Sequence, residues 1–82
     1  MPHSDDKLNK IWEKGAKVRG KKPDLYRKDF EGKKIYKPSY GKTSAMGWEV
    51  DHKKPRAKGG TDSIRNLVPR HWKSNRAKSD KY

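Results

Sequence analysis

The chain has 82 residues, with 23 Lys and Arg against 10 Asp and Glu, a formal charge of +13 and no cysteine. At this length one domain is the ceiling, and the missing thiols exclude disulfides and the zinc sites built on thiolates. No apolar run approaches a membrane span, and Met1-Pro-His-Ser-Asp-Asp6 lacks the basic start and apolar middle of a secretory signal, so a soluble, cytoplasmic protein is expected.

The first element is a short helix over residues 4–14. Ser4 can cap it, Asp5 and Asp6 suit its positive end, and Leu8, Ile11 and Trp12 fall at i, i+3, i+4. Gly15 is expected to stop it. From Gly15 to Gly47 the chain is rich in Gly, Pro and Lys, which predicts irregular structure with one hairpin around Glu31-Gly32 and a loop from Gly41 to Met46. Gly47-Trp-Glu-Val-Asp-His52 then alternates large apolar with acidic residues, the period of a half-buried strand. A glycine-containing reversal, Lys58-Gly-Gly-Thr-Asp62, leads to Ile64-Arg-Asn-Leu-Val68, read as a second extended segment closed by Pro69. Arg70 to Asp80 contains no Gly or Pro and reads as a helix. Only 28% of residues are hydrophobic, so the interior must rest on a few large side chains: Trp12, Leu25, Tyr26, Ile35, Trp48, Val50, Ile64, Leu67, Val68 and Trp72.

The positive excess makes nucleic acid the default partner, bound with salt-dependent affinity, ahead of an acidic membrane surface. Charge alone favours a basic protein that only binds over an enzyme, with an assembly subunit as a further rival. Chemistry enters with Asp51-His52, Asn66 and Asn75, where Asn66 follows His52 by fourteen positions and Asn75 follows Asn66 by nine, with Gly59-Gly60 inside the first gap.

On these residues the sequence resembles the HNH endonucleases. The resemblance lies in Trp48-Glu-Val-Asp-His52, Pro55, Gly59-Gly60, Asn66-Leu67 and His71-Trp-Lys-Ser-Asn75-Arg-Ala-Lys78, and Asn at the last motif position marks an HNN variant. Trp12-Glu-Lys-Gly15, Gly20, Tyr26-Arg-Lys-Asp29 and Gly47-Trp48 also look like the lead-in of one bacterial branch of that family. The resemblance implies an α+β fold, the small ββα-metal motif over residues 47–80, preceded at 1–46 by the short helix and the irregular Gly/Pro/Lys-rich segment, all as one HNH domain. It also implies phosphodiester hydrolysis in which His52 is the general base, Asp51 and Asn75 hold one divalent metal, and Asn66 braces the loop behind His52.

One imidazole plus one cation can supply a nucleophile, neutralise phosphoryl oxygens and assist the leaving oxygen. Asp51 and Asn75 offer only oxygens, which favours Mg2+ or Mn2+ over Zn2+. Neighbouring strand residues point to opposite faces, so a bend or bulge at Asp51-His52 is expected to re-aim one side chain. Asn66 is equally a turn former, and that role and bracing coincide. For His71 a packing or hydrogen-bonding role is favoured over metal ligation, and for Trp48 and Trp72 a core role over base stacking. Lys53, Lys54, Arg56 and Lys58, with Arg70, Lys73, Arg76 and Lys78, are candidates for phosphate contacts on DNA, with RNA as the alternative polymer, and nothing in their spacing suggests base readout.

Overall fold

The computed structural model describes residues 4–79. His3, and Asp80 at the end of the expected second helix, lie outside the described residues.

Helix α1 spans Asp5–Trp12, with the Ser4 hydroxyl accepting from the Lys7 amide at 3.2 Å. Its apolar stripe carries Ile11 and Trp12 into the interior, where both are buried. It ends at Trp12, three residues ahead of the glycine expected to stop it, and Gly15 N bonds the Trp12 carbonyl just beyond that end.

The next segment has more order than its composition suggests. Strands β1 (Ala16–Lys17), β2 (Tyr26–Lys28) and β3 (Lys34–Tyr36) form an antiparallel sheet in that order. The β2–β3 hairpin turns around Glu31-Gly32 as expected; β1 is the addition. Two buried charged residues account for the order. Arg27 donates to the carbonyls of Pro23, Glu13 and Gly15, pulling the end of α1 onto β2. Asp29 accepts from the Glu31 and Lys33 amides through Oδ1, and from the His71 amide through Oδ2 at 3.0 Å, so one carboxylate both closes the hairpin and fastens it to the C-terminal half. Hydrophobic periodicity carries no trace of either.

The second sheet is a two-stranded antiparallel ribbon of β4 (Trp48–His52) and β5 (Leu67–His71), followed directly by α2 (Trp72–Ser79). Residues 64–66, expected to be extended, instead form a 3-10 turn, and β5 runs through Pro69 rather than stopping at it. The register explains why proline is tolerated. Trp72 N donates to Gly47 O and Lys53 N to Asn66 O, so the amides of β5 that face β4 are those of even-numbered residues. The Pro69 nitrogen lies on the opposite edge, as does the His71 amide taken by Asp29, and no ladder bond is lost.

The expected break at Asp51-His52 does not occur. Asp51 pairs with Val68 and His52 with Leu67 in unbroken register, and the Lys53–Asn66 bond continues the ladder beyond them. The two side chains do leave opposite faces, as a regular strand requires, but each meets its own partners there and no bulge is needed.

The core centres on Trp12, Ile35 and Trp48, with Leu8, Tyr40 and Val50 packed against it. The rings of Trp12 and Trp48 lie 5.1 Å apart, and each indole N–H finds a carbonyl, of Pro23 and Lys37 respectively. Ile11 and Val18 are buried beyond the expected set, as is Pro69, while Leu25, Tyr26, Val50, Ile64 and Trp72 are only partly buried. No helix among the described residues is long and apolar enough to cross a membrane.

Candidate active site

Strand β4 presents the candidate residues to two sides. On the side covered by α2, Asp51 is only 7% exposed and its Oδ2 receives two cations, Arg70 Nε at 2.8 Å from β5 and Lys78 Nζ at 2.7 Å from α2. Lys78 also donates to the His52 carbonyl at 2.9 Å. Two residues back on the same face, Glu49 accepts from Asn75 Nδ2 at 2.9 Å and lies 3.4 Å from the Arg76 guanidinium. Asn75 thus turns its amide nitrogen toward Glu49. Glu49 had no role in the sequence reading; only its place two residues before Asp51, hence on the same face, could have signalled it.

On the other side, His52 Nε2 meets Asp62 Oδ1 at 2.7 Å. A carboxylate accepts, so Nε2 carries the proton of neutral His52 and Nδ1 is its basic nitrogen. The hydrogen bond from His52 holds the Asp62 carboxyl below its ordinary value; desolvation, the next largest effect, opposes it, and the nearby charges of Arg56, His52 and Lys7 add smaller attractions. Asp62 is the partner of His52 that sequence reasoning missed. It stands ten residues from His52 in a polar loop, where an aspartate reads as turn chemistry.

The loop that brings Asp62 back is held by Asn66. Its Oδ1 accepts from Lys54 N at 2.8 Å, and its Nδ2 donates to the carbonyls of Lys54 at 3.1 Å and Thr61 at 2.7 Å. One amide therefore joins the chain just after His52 to the chain just before Asp62. The Gly59-Gly60 pair is required by the same closure: Gly59 has φ 87°, and a Cβ on Gly60 would sit 1.8 Å from the Lys54 carbonyl oxygen. From α1's end, Lys14 donates to the Ile64 and Leu67 carbonyls, anchoring the start of β5; burial, with Lys53 nearby, lowers its ammonium.

His71 is buried with both ring nitrogens engaged. Nε2 donates to the Ala45 carbonyl at 2.8 Å and Nδ1 accepts from Lys73 N at 3.1 Å, a neutral tautomer serving the backbone. Trp72 is half-buried, with its N–H on the Ser44 carbonyl and the charges of Lys73 and Arg76 over its ring. Lys53, Lys54, Arg56 and Lys58 are exposed on the β4–β5 loop, whereas Arg70, Arg76 and Lys78 are turned onto the Asp51 and Glu49 carboxylates.

Among the described residues, no three His, Cys, Asp or Glu side chains converge as a metal cage. The donors do suit a hard cation completed by water and substrate. Glu49, Asp51, Asn75 and the His52 carbonyl are oxygen-bearing groups, and two of them already hold the Lys78 ammonium, so positive charge is stabilised at this point of the ribbon.

An antiparallel ribbon, a glycine-bearing loop and a following helix, with an acidic residue and a histidine adjacent at the end of the first strand, define a small ββα unit of nuclease type. The family model described as HNH endonuclease matches residues 33–81, and the chain belongs to the HNH endonuclease family. No curated protein and no solved structure matches it.

Proposed function

We propose that the chain is a metal-dependent endonuclease that hydrolyses phosphodiester bonds in DNA, with His52 as general base and one divalent cation, Mg2+ or Mn2+, held by Asp51 and Asn75. The observation that carries this reading is the His52–Asp62 pair at 2.7 Å, set one residue from a buried carboxylate that gathers positive charge.

With Nε2 directed at Asp62, His52 takes the proton of an attacking water on Nδ1. The imidazolium that forms is stabilised by the Asp62 carboxylate, which also prevents the ring from rotating. Asn66 fixes the distance between the two by locking the loop at Lys54 and Thr61. A bound divalent cation supplies charge neutralisation for the phosphoryl and leaving oxygens. Asp51 on β4 and Asn75 on α2 would hold it through side-chain oxygens. Lys53, Lys54, Arg56 and Lys58 on the loop, with Arg70, Lys73, Arg76 and Lys78 on β5 and α2, bind the flanking phosphates, which gives affinity that falls with salt and little dependence on base sequence.

The test is nicking of supercoiled plasmid in Mg2+ or Mn2+, beside EDTA, His52→Ala and Asn75→Ala controls. Cleavage by the wild type, abolished by each control, is expected. Wild-type cleavage no better than the variants under either ion overturns the enzyme reading, and salt-sensitive DNA binding without cleavage would then mark a binding module.

A further inference from the structure

A cavity of about 330 Å3 opens between the β2–β3 turn and α2. Its walls include Lys33, Arg70, Lys73 and Lys78 against a single carboxylate, Glu31, and also Ser74, whose buried hydroxyl has no hydrogen-bond partner among the described residues. Glu31 is exposed and lies 3.7 Å from Arg70. Four cations around one weakly engaged carboxylate make a site for a tetrahedral oxyanion.

The cavity is not independent of Asp51. Arg70 and Lys78 reach from its wall to the same atom, Asp51 Oδ2, at 2.8 and 2.7 Å. An anion in the cavity and the Asp51 carboxylate therefore compete for the same two cations. While both cations sit on Oδ2, Asp51 has little attraction left for a divalent ion. Once they turn to a phosphate, the carboxylate regains it. Lys73 lines the cavity without being paired to Asp51, so it can strengthen anion binding but has no direct hold on the carboxylate.

We propose that this cavity takes a backbone phosphate of the bound strand, and that its arrival draws Arg70 and Lys78 off Asp51, so that the substrate itself opens the metal-binding carboxylate. This rests on the endonuclease reading above. It makes strand binding and cation binding mutually reinforcing, since coupling between two sites is reciprocal. Without substrate the site is latched and takes up metal weakly.

The experiment is a Mn2+ titration of the full 15N-labelled chain, following paramagnetic broadening of the Asp51, His52 and Asn75 amide signals. Wild type, Lys78→Met and Lys73→Met are each measured in sodium chloride and in sodium sulfate at equal ionic strength, sulfate being the oxyanion probe. In chloride, Lys78→Met should broaden at a Mn2+ concentration about tenfold below that of the wild type, a coupling of ordinary size. Sulfate should move the wild type toward the Lys78→Met midpoint and move Lys78→Met less, since only Arg70 is left to be drawn off Asp51. Lys73→Met should keep the wild-type midpoint in chloride and lose most of the sulfate response, which separates a latch from the general effect of removing one positive charge. Equal midpoints for wild type and Lys78→Met overturn the latch alone. No broadening of these signals under any condition overturns the Asp51–Asn75 metal reading and the latch with it. If Lys78→Met loses its dispersed spectrum, Lys78→Gln supplies the same comparison.

Discussion

The two sides of β4 solve opposite problems with neighbouring residues. Asp51 is buried and neutralised by Arg70 and Lys78, which arrive from two other elements; His52 is partly exposed and meets one carboxylate on a loop that is itself half in water. The first arrangement is part of what holds the fold together, because a buried charge stripped of its partners is costly. The second contributes little to stability, since an exposed pair is screened by solvent. A regular strand thus separates a buried carboxylate held by two cations from a half-exposed histidine paired with one carboxylate, without a bulge, and gives the two sides different sensitivities to mutation.

Substitutions on the two sides should diverge accordingly. Asp51→Ala strands Arg70 and Lys78 and should lower unfolding free energy by about 3 kcal/mol, read as a drop in urea midpoint at unchanged slope. His52→Ala should leave that midpoint close to wild type while reducing plasmid nicking by about a hundredfold or more, with DNA affinity in a binding titration unchanged. If His52→Ala destabilises as much as Asp51→Ala, the division between the two faces is wrong. Asn66→Ala sits between them: loss of three loop hydrogen bonds should cost about 2 kcal/mol, and hydrogen exchange at the Lys54 amide should rise more than at Trp48.

The smallest effect is a titration. Because Asp62 is held below its ordinary value by His52, the pair's contribution is present above the unfolded-state carboxyl value and disappears only as pH falls through the lower folded one. The Asp62 carboxyl carbon should therefore show a depressed midpoint by NMR, returning toward normal in His52→Ala. An Asp62 midpoint unaffected by that substitution would remove the pairing from solution.

Much of the architecture was legible because it depends on local chemistry. Ser4, the two aspartates after it and the Leu8-Ile11-Trp12 stripe specify α1, and the alternation of Trp48 and Val50 with acidic residues specifies β4. The strand through Pro69 was not legible, since whether a proline interrupts a ladder depends on which edge its nitrogen faces, and register decides that. Nor was the order in the lead-in, where Arg27 and Asp29 act through carbonyls and amides supplied by other segments.

By itself, the amino-acid sequence determined the ribbon–loop–helix plan, the spacing of Asp51, His52, Asn66 and Asn75, and the positive charge that directs the chain toward nucleic acid. Tertiary structure alone decided that Asp62 would serve His52, that His71 would spend both ring nitrogens on backbone, and that Arg70 and Lys78, among 23 basic residues, would close on Asp51. The physical reason is that periodicity and turn chemistry act between near neighbours. Which cation reaches which carboxylate is instead settled by the packing of α2 and β5 around β4, where burial selects a few pairs from many that charge alone would permit.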